Sequence, residues 1–163
     1  MHLVVNEWLP QYFLPSATRA EKLLLQQFLQ CFIERGDKIV VRRPSEFNRK
    51  IYRYAKDLQA NYEAVTPIRN FIKLILEDSK RCEFVDDEFF NLPAAIEAKL
   101  KRPADSPLTN YESDRYLFEA ALQTEEKIIV TTDAKLAAVM DDEKVFRVVL
   151  LDDFLQTYCT ARL

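Results

Sequence analysis

Three oxygen-bearing side chains stand where the chain is expected to pass from one structural element to the next. Asp133 follows an apolar run and two threonines, Asp114 opens a helical pattern, and Asn6 ends the first apolar run. Mg²⁺ and Mn²⁺ prefer such carboxylate and amide oxygens. A cation held by Asp114, Asp133 and Asn6 can activate water and stabilise a phosphodiester oxyanion, with Thr132 orienting water or phosphate.

The two acids also have a purely structural interpretation. Asp114 can favour the positive end of the helix that it opens. Asp133 can cap the helix that follows it. With 26 acidic residues in the chain, chance pairs of acids are common. Residue types and spacing alone leave the metal site and the structural roles as alternatives.

Two scarce residue types exclude other chemistries. Gly36 is the single glycine, so neither a phosphate-binding P-loop nor a dinucleotide fingerprint can form, and no nucleotide cofactor is expected. His2 is the single histidine. A Ser-His-Asp triad, a Cys-His pair or a histidine-based zinc site would have to use it. An active site must therefore be built from carboxylates and their amide or hydroxyl neighbours.

Apolar strands alternate with amphipathic helices along the chain. Thr18 and Glu21 have the spacing of a capping box, Pro10 and Pro15 are expected to break the pattern after the first strand, and Pro67 is expected to open a helix. This alternation predicts one domain over residues 1–163, an α/β three-layer sandwich with a mostly parallel sheet of about five strands. The predicted strands are 2–6, 38–41, 82–85, 127–131 and 145–150, and 102–107 is the clearest loop.

The composition gives no overall nucleic-acid signal, because the net charge is −3 and the pI is near 5.3. Local basic groups remain. Four arginines could track a phosphate backbone, and the alternative is an ordinary solvated helix surface. These are Arg42, Arg43, Arg49 and Arg53.

The cysteines and the hydropathy pattern indicate a cytoplasmic protein. Cys31, Cys82 and Cys159 are far apart and odd in number, which favours reduced thiols over a disulfide framework or a zinc knuckle. No apolar stretch approaches the roughly 20 residues of a membrane span. The N-terminus lacks the basic and apolar segments of a signal peptide.

The second half of the chain resembles the C-terminal half of a PIN domain, a family of small metal-dependent ribonucleases. The resemblance rests on Asp114 before Ala120-Ala121, on the strand end Val130-Thr131-Thr132-Asp133, and on the last strand and helix, 148–155. Asn6 stands where the family's first strand runs into its first Asp. The resemblance implies a PIN-like domain that binds Mg²⁺ or Mn²⁺ at Asp114, Asp133 and Asn6 and hydrolyses RNA phosphodiester bonds. A toxin–antitoxin setting is one that it allows.

Two of the family's acids are replaced by amides. Asn6 stands at the first acidic position and Asn48 at the second. Glu46 cannot share a site with Asn48, because a helix turns about 100° per residue. Glu7 is a poor stand-in for Asn6, because neighbouring residues of a strand face opposite ways. An amide oxygen can ligate a cation but does not neutralise it, so metal affinity should fall.

These replacements define the alternatives. The first is a catalytically degenerate PIN-like fold that acts as an RNA- or protein-binding module. The second is an α/β domain without nuclease ancestry whose acids are caps. In either PIN-like case, the helical segments 17–35 and 67–80 could bury a homodimer or antitoxin-type partner.

Overall fold

A computed structural model describes residues 1–86, 90–101 and 111–160 of the chain. Within these ranges the strands form one sheet in the order β3-β2-β1-β4-β5, and all neighbours are parallel. The predicted α/β fold with a parallel sheet of about five strands is confirmed. The strands are β1 (His2–Val5), β2 (Lys38–Arg42), β3 (Cys82–Val85), β4 (Ile128–Thr131) and β5 (Arg147–Leu150).

Helices connect the strands and cover the sheet. The helices are α1 (Trp8–Tyr12), α2 (Arg19–Arg35), α3 (Glu46–Asp57), α4 (Tyr62–Phe71), α5 (Ala94–Leu100), α6 (Arg115–Leu122), α7 (Ala134–Val139) and α8 (Leu151–Tyr158). Helix α1 contacts α2 and α3, α2 contacts α8, and α6 lies against β1, β2 and β4. This packing is consistent with a three-layer sandwich. Of the helices described, none has both the length and the apolar character that a membrane crossing requires.

The order of the strands changes direction between β1 and β4. Strand β1 lies between β2 and β4; β2 and β3 lie on one side of it, and β4 and β5 lie on the other. In open parallel sheets, ligands bind at the carboxyl ends of the strands near such a change. Residues Val5 and Thr131 end the two strands. The topology therefore predicts a ligand site at the residues that follow Val5 and Thr131.

Helix α1 begins immediately after β1, and the prediction that Pro10 breaks the pattern is wrong. Pro10 is the third residue of α1. Backbone N–H groups in the first turn have no partner within the helix, so a proline there loses no helical hydrogen bond. Glu7 already has helical angles, with φ −68° and ψ −5°. The alternation of strand side chains therefore stops before Glu7.

Helix α4 also begins earlier than the expected start at Pro67. Asn61 caps it, with its side chain accepting a hydrogen bond from the Ala64 N–H. Pro67 lies inside the helix, where the missing N–H removes one helical hydrogen bond. A π-helical turn over Ile72–Leu76 continues the element. The asparagine cap was the available sequence signal.

Other local predictions are confirmed. The Thr18–Glu21 capping box forms at the start of α2, and Gly36 ends that helix with a φ of 71°. Ser45 caps α3. The loop predicted at 102–107 lies outside the described residues.

Two of the cysteines form a disulfide, so the prediction of three reduced thiols is wrong. Cys31 of α2 and Cys159, just after α8, are joined with a Cα–Cα distance of 5.6 Å. They lie 128 residues apart in the chain. Cys82 is free and buried. The cysteines therefore no longer support a cytoplasmic location, which stays a prediction.

A thiol count tests the disulfide directly. Denatured but unreduced protein should show one reactive thiol, from Cys82, and reduced protein should show three. Because the bond closes a long loop, the double variant Cys31→Ser/Cys159→Ser should lose about 2–5 kcal/mol of unfolding free energy, measured by urea denaturation. Cys82→Ala should leave the count of disulfides unchanged. Three thiols without reductant would contradict the pairing.

Candidate functional site

Asn6 is joined to the end of β4. Its Nδ2 donates a hydrogen bond of 2.8 Å to Oγ1 of Thr131, and both residues are buried. The same Oγ1 accepts a hydrogen bond of 3.0 Å from the backbone N–H of Asp133. Two of the predicted site residues, Asn6 and Asp133, are therefore linked through one hydroxyl. Oδ1 of Asn6 accepts a long contact of 3.5 Å from the Trp8 N–H, which leaves it capacity to bind a ligand.

Asp133 has the structural role that its position suggested. Its Oδ1 caps α7 by accepting hydrogen bonds from the N–H groups of Lys135 and Leu136, at 2.8 and 3.0 Å. Within the described part of the chain, the other oxygen, Oδ2, accepts no hydrogen bond. One oxygen of this carboxylate is thus committed to the fold, and one is available for a ligand. Thr132, beside it, is exposed.

Asp114 differs from Asp133 because its side chain makes no capping hydrogen bond. It is the last residue of a 3-10 turn over Glu112–Asp114 and immediately precedes α6. Burial, with further contributions from the negative charges of Glu7 and Asp133, raises the pKa of Asp114 to about 6, and Lys50 partly offsets this. The charge of Asp133 therefore acts on Asp114, and their sharing of one cation stays a prediction.

Glu7 lies near Asp114, because the strand alternation that was expected to turn it away stops before it. That it is a poor stand-in for Asn6 stays a prediction. Its Oε1 accepts a hydrogen bond of 3.1 Å from the hydroxyl of buried Tyr116. Burial, followed by the charge and hydrogen bond of Glu7, raises the pKa of Tyr116. Glu7 turns inward because it begins α1 and is not part of β1. The sequence signal was that Pro10 is acceptable within a first helical turn.

Helix α3 contributes Lys50 to the site. The Lys50 ammonium lies 4.0 Å from Oε1 of Glu7. Glu46 is bound by both of its carboxylate oxygens to Arg49, at 2.6 and 2.7 Å. Asn48 precedes Lys50 by two residues, so about 200° of helical rotation separates them. The Asn48 Oδ1 is buried and has no hydrogen-bond partner among the residues described.

The charges of the site fit one divalent cation. Glu7, Asp114, Asp133 and Lys50 carry a formal net charge of −2 when all four are ionised. The oxygens of Asp114, Asp133 and Asn6 are of the type that Mg²⁺ and Mn²⁺ take, and these ions keep several waters. Over residues 1–86, 90–101 and 111–160, no three acidic, histidine or cysteine side chains form a complete metal-ligand group. A cation here would depend on Asp114, Asp133, the Asn6 amide and water, and its binding stays a prediction.

Arg42 does not lie on an open basic surface, contrary to the prediction that it tracks a phosphate backbone. Its side chain is 14% exposed and pairs with Glu119 of α6. Glu119 also accepts a hydrogen bond of 2.8 Å from Arg115, which binds Glu97 of α5. This ion-pair network joins β2, α6 and α5. It was not visible in the sequence, because the partners are distant along the chain.

The other three arginines lie nearer the surface. Arg43 is about half exposed, with its guanidinium 3.5 Å from the centre of the Phe84 ring and 4.0 Å from Oδ1 of Asp86, a long and exposed ion pair. Arg49 is exposed, but its charge is paired with Glu46. Arg53 is exposed, with its guanidinium 5.2 Å from the centre of the Tyr54 ring. Arg43 and Arg53 are therefore the better candidates for contact with phosphate.

Comparison of the chain with protein-family models, with curated proteins and with solved structures finds no match. The PIN resemblance accordingly stays a prediction.

The raised pKa of Asp114 predicts how stability depends on pH. An unfolded Asp ionises near pH 4, whereas folded Asp114 ionises near pH 6. The folded state therefore holds more protons between these values, and Asp114 lowers stability as the pH rises from about 4 to about 6. Asp114→Asn should remove this loss, so its gain in unfolding free energy should be about 1–2 kcal/mol larger at pH 7.5 than at pH 4. Partial solvent contact of Asp114 keeps the difference below the full value of the pKa shift.

Urea denaturation in EDTA at the two pH values measures this difference. Asp141→Asn, at an exposed acid, is the control and should change stability equally at both. The same change in stability at pH 4 and pH 7.5 for Asp114→Asn would contradict the assigned burial.

Proposed function

We propose that this chain is a PIN-like ribonuclease that hydrolyses RNA phosphodiester bonds with one Mg²⁺ or Mn²⁺. The observation that carries the proposal is the placement of Asp114 where the strand order changes. Its carboxylate makes no capping bond and lies in the field of Glu7 and Asp133. Such an arrangement costs stability unless a cation compensates it, and perturbed acids of this kind cluster at functional sites.

In this proposal, different residues bind the metal, orient water or phosphate, and contact the RNA. Asp114, Oδ2 of Asp133 and Oδ1 of Asn6 would hold the ion. The cation, when bound, supplies water activation and stabilises negative charge on a phosphodiester oxygen. Thr132 is exposed and adjacent in sequence to Asp133, and its hydroxyl would orient water or phosphate. Arg43 and Arg53 would bind the RNA backbone.

A second candidate function is a catalytically degenerate PIN-like module that binds RNA or a protein. It is favoured by Asn6 at the place of an acid and by the ammonium of Lys50 beside Glu7. For a protein partner, a second copy or an antitoxin-type chain, the surface between α2 and α4 is suitable. It contains a cavity of about 760 Å³ whose apolar lining includes Leu25, Leu29 and Pro67.

An RNA-cleavage assay with Mn²⁺ tests the ribonuclease proposal. Asp114→Asn should lower the cleavage rate at least tenfold, which corresponds to an increase of about 1.4 kcal/mol in the activation free energy. Asp133→Asn should have a similar effect, and it keeps the α7 cap because asparagine also caps helices well. Asn6→Asp should raise the rate, since it adds a negative ligand. EDTA should abolish cleavage in every variant.

Asp141→Asn serves as the control for a general effect of removing an acid. Cleavage that survives both Asp114→Asn and Asp133→Asn would exclude this site. No cleavage by the parent together with cleavage by Asn6→Asp would establish the degenerate alternative.

A further inference from the structure

Lys50 places a fixed positive charge among the acids of the candidate site. Its side chain is 22% exposed, and its ammonium lies 4.0 Å from Oε1 of Glu7. The Glu7 side chain is 17% exposed. An exposed ion pair of this length would contribute little. The low exposure of both side chains makes this pair more than a solvated contact.

The position of Glu7 determines where the Lys50 charge sits. The hydroxyl of Tyr116 donates to the same Oε1 atom, at 3.1 Å, and Tyr116 is buried. Glu7 is also the residue just before α1, and its carbonyl accepts a hydrogen bond of 3.1 Å from the Gln11 N–H, which holds its backbone. The carboxylate is therefore fixed on the inner side of the site. The positive charge of Lys50 lies beside this carboxylate. It lowers the pKa of Asp114, whereas the negative charges of Glu7 and Asp133 raise it.

A divalent cation and an ammonium in one small acidic site repel each other. Both are stabilised by the same negative charges of Glu7, Asp114 and Asp133. The cation can gain the full attraction of these carboxylates if the ammonium is absent or has moved away. Lys50 is thus placed to compete with the metal.

We propose that Lys50 is an internal counter-ion that lowers the affinity of this site for divalent cations. The inference rests on the proposed function, because it assumes that Asp114 and Asp133 hold the cation. It specifies that the charge of Lys50, and not its packing, controls metal affinity. Lys50 is in this sense a positioning residue for the acids and is not itself a metal ligand.

Manganese binding to the purified full chain tests the proposal without reference to activity. Titration followed by the electron paramagnetic resonance of free Mn²⁺ gives the dissociation constant. Lys50→Met removes the charge and keeps a chain of similar length, and it should lower the Kd for Mn²⁺ at least tenfold. Lys50→Arg keeps the charge and should bind Mn²⁺ as the parent does.

Lys56→Met is the matched control. Lys56 lies on the same helix and is exposed. Its replacement should change the Kd by less than about twofold. Adding Asp114→Asn to Lys50→Met should abolish the gain in affinity. Adding Glu7→Gln should reduce the gain, because it removes a negative charge from the site. Thermal unfolding followed by circular dichroism verifies that each variant is folded.

The outcomes separate this inference from the proposed function. The parent and folded Lys50→Met could bind Mn²⁺ equally well, and adding Asp114→Asn to each could abolish that binding. This result would overturn the inference while leaving the metal site in place. No Mn²⁺ binding by folded Lys50→Met would overturn it as well. Tight binding by Lys50→Met with no RNA cleavage in any variant would support the inference and remove the ribonuclease proposal.

Discussion

Two side-chain hydrogen bonds join the carboxyl ends of β1 and β4. The indole N–H of Trp8 donates to the Val130 carbonyl at 3.1 Å, and Nδ2 of Asn6 donates to Oγ1 of Thr131 at 2.8 Å. All of these groups are buried, and a buried polar group without a partner costs about 1–3 kcal/mol. These bonds fix Asn6 beside the strand end that carries Asp133. They also fix the start of α1, and therefore the direction of Glu7.

Buried acids are compensated very differently in two parts of the molecule. Glu119 is paired with two arginines, Arg42 and Arg115, so its charge is fully met by neighbours. Burial is the main cause of the raised pKa of Asp114, and the negative charges of Glu7 and Asp133 raise it further, with the ammonium of Lys50 opposing them. The first arrangement is what a structural ion-pair network requires. The second leaves negative charge only partly compensated, and this contrast supports the proposal of a functional site there.

The sequence predicted those parts of the fold that depend on local patterns. The strands, the Thr18 capping box and Gly36 at the end of α2 follow from hydrophobic period and helix-end chemistry. The expectation that Pro10 interrupts the chain's regular structure is wrong, because the first turn of a helix accepts a proline. The Cys31–Cys159 bond and the Lys50–Glu7 contact join residues far apart in the chain, and no local pattern carries that information.

The amide at Asn6 and the ammonium of Lys50 act in the same direction. An aspartate at position 6 could accept a hydrogen bond from the Thr131 hydroxyl, so the fold does not require an amide there. It would add a fourth negative charge to a site where Asp114 already has a raised pKa. Asparagine avoids that repulsion in the metal-free protein and gives up electrostatic attraction for a cation. Both residues therefore limit the repulsion among Glu7, Asp114 and Asp133. In the metal site proposed above, the same two residues would weaken the attraction for a cation.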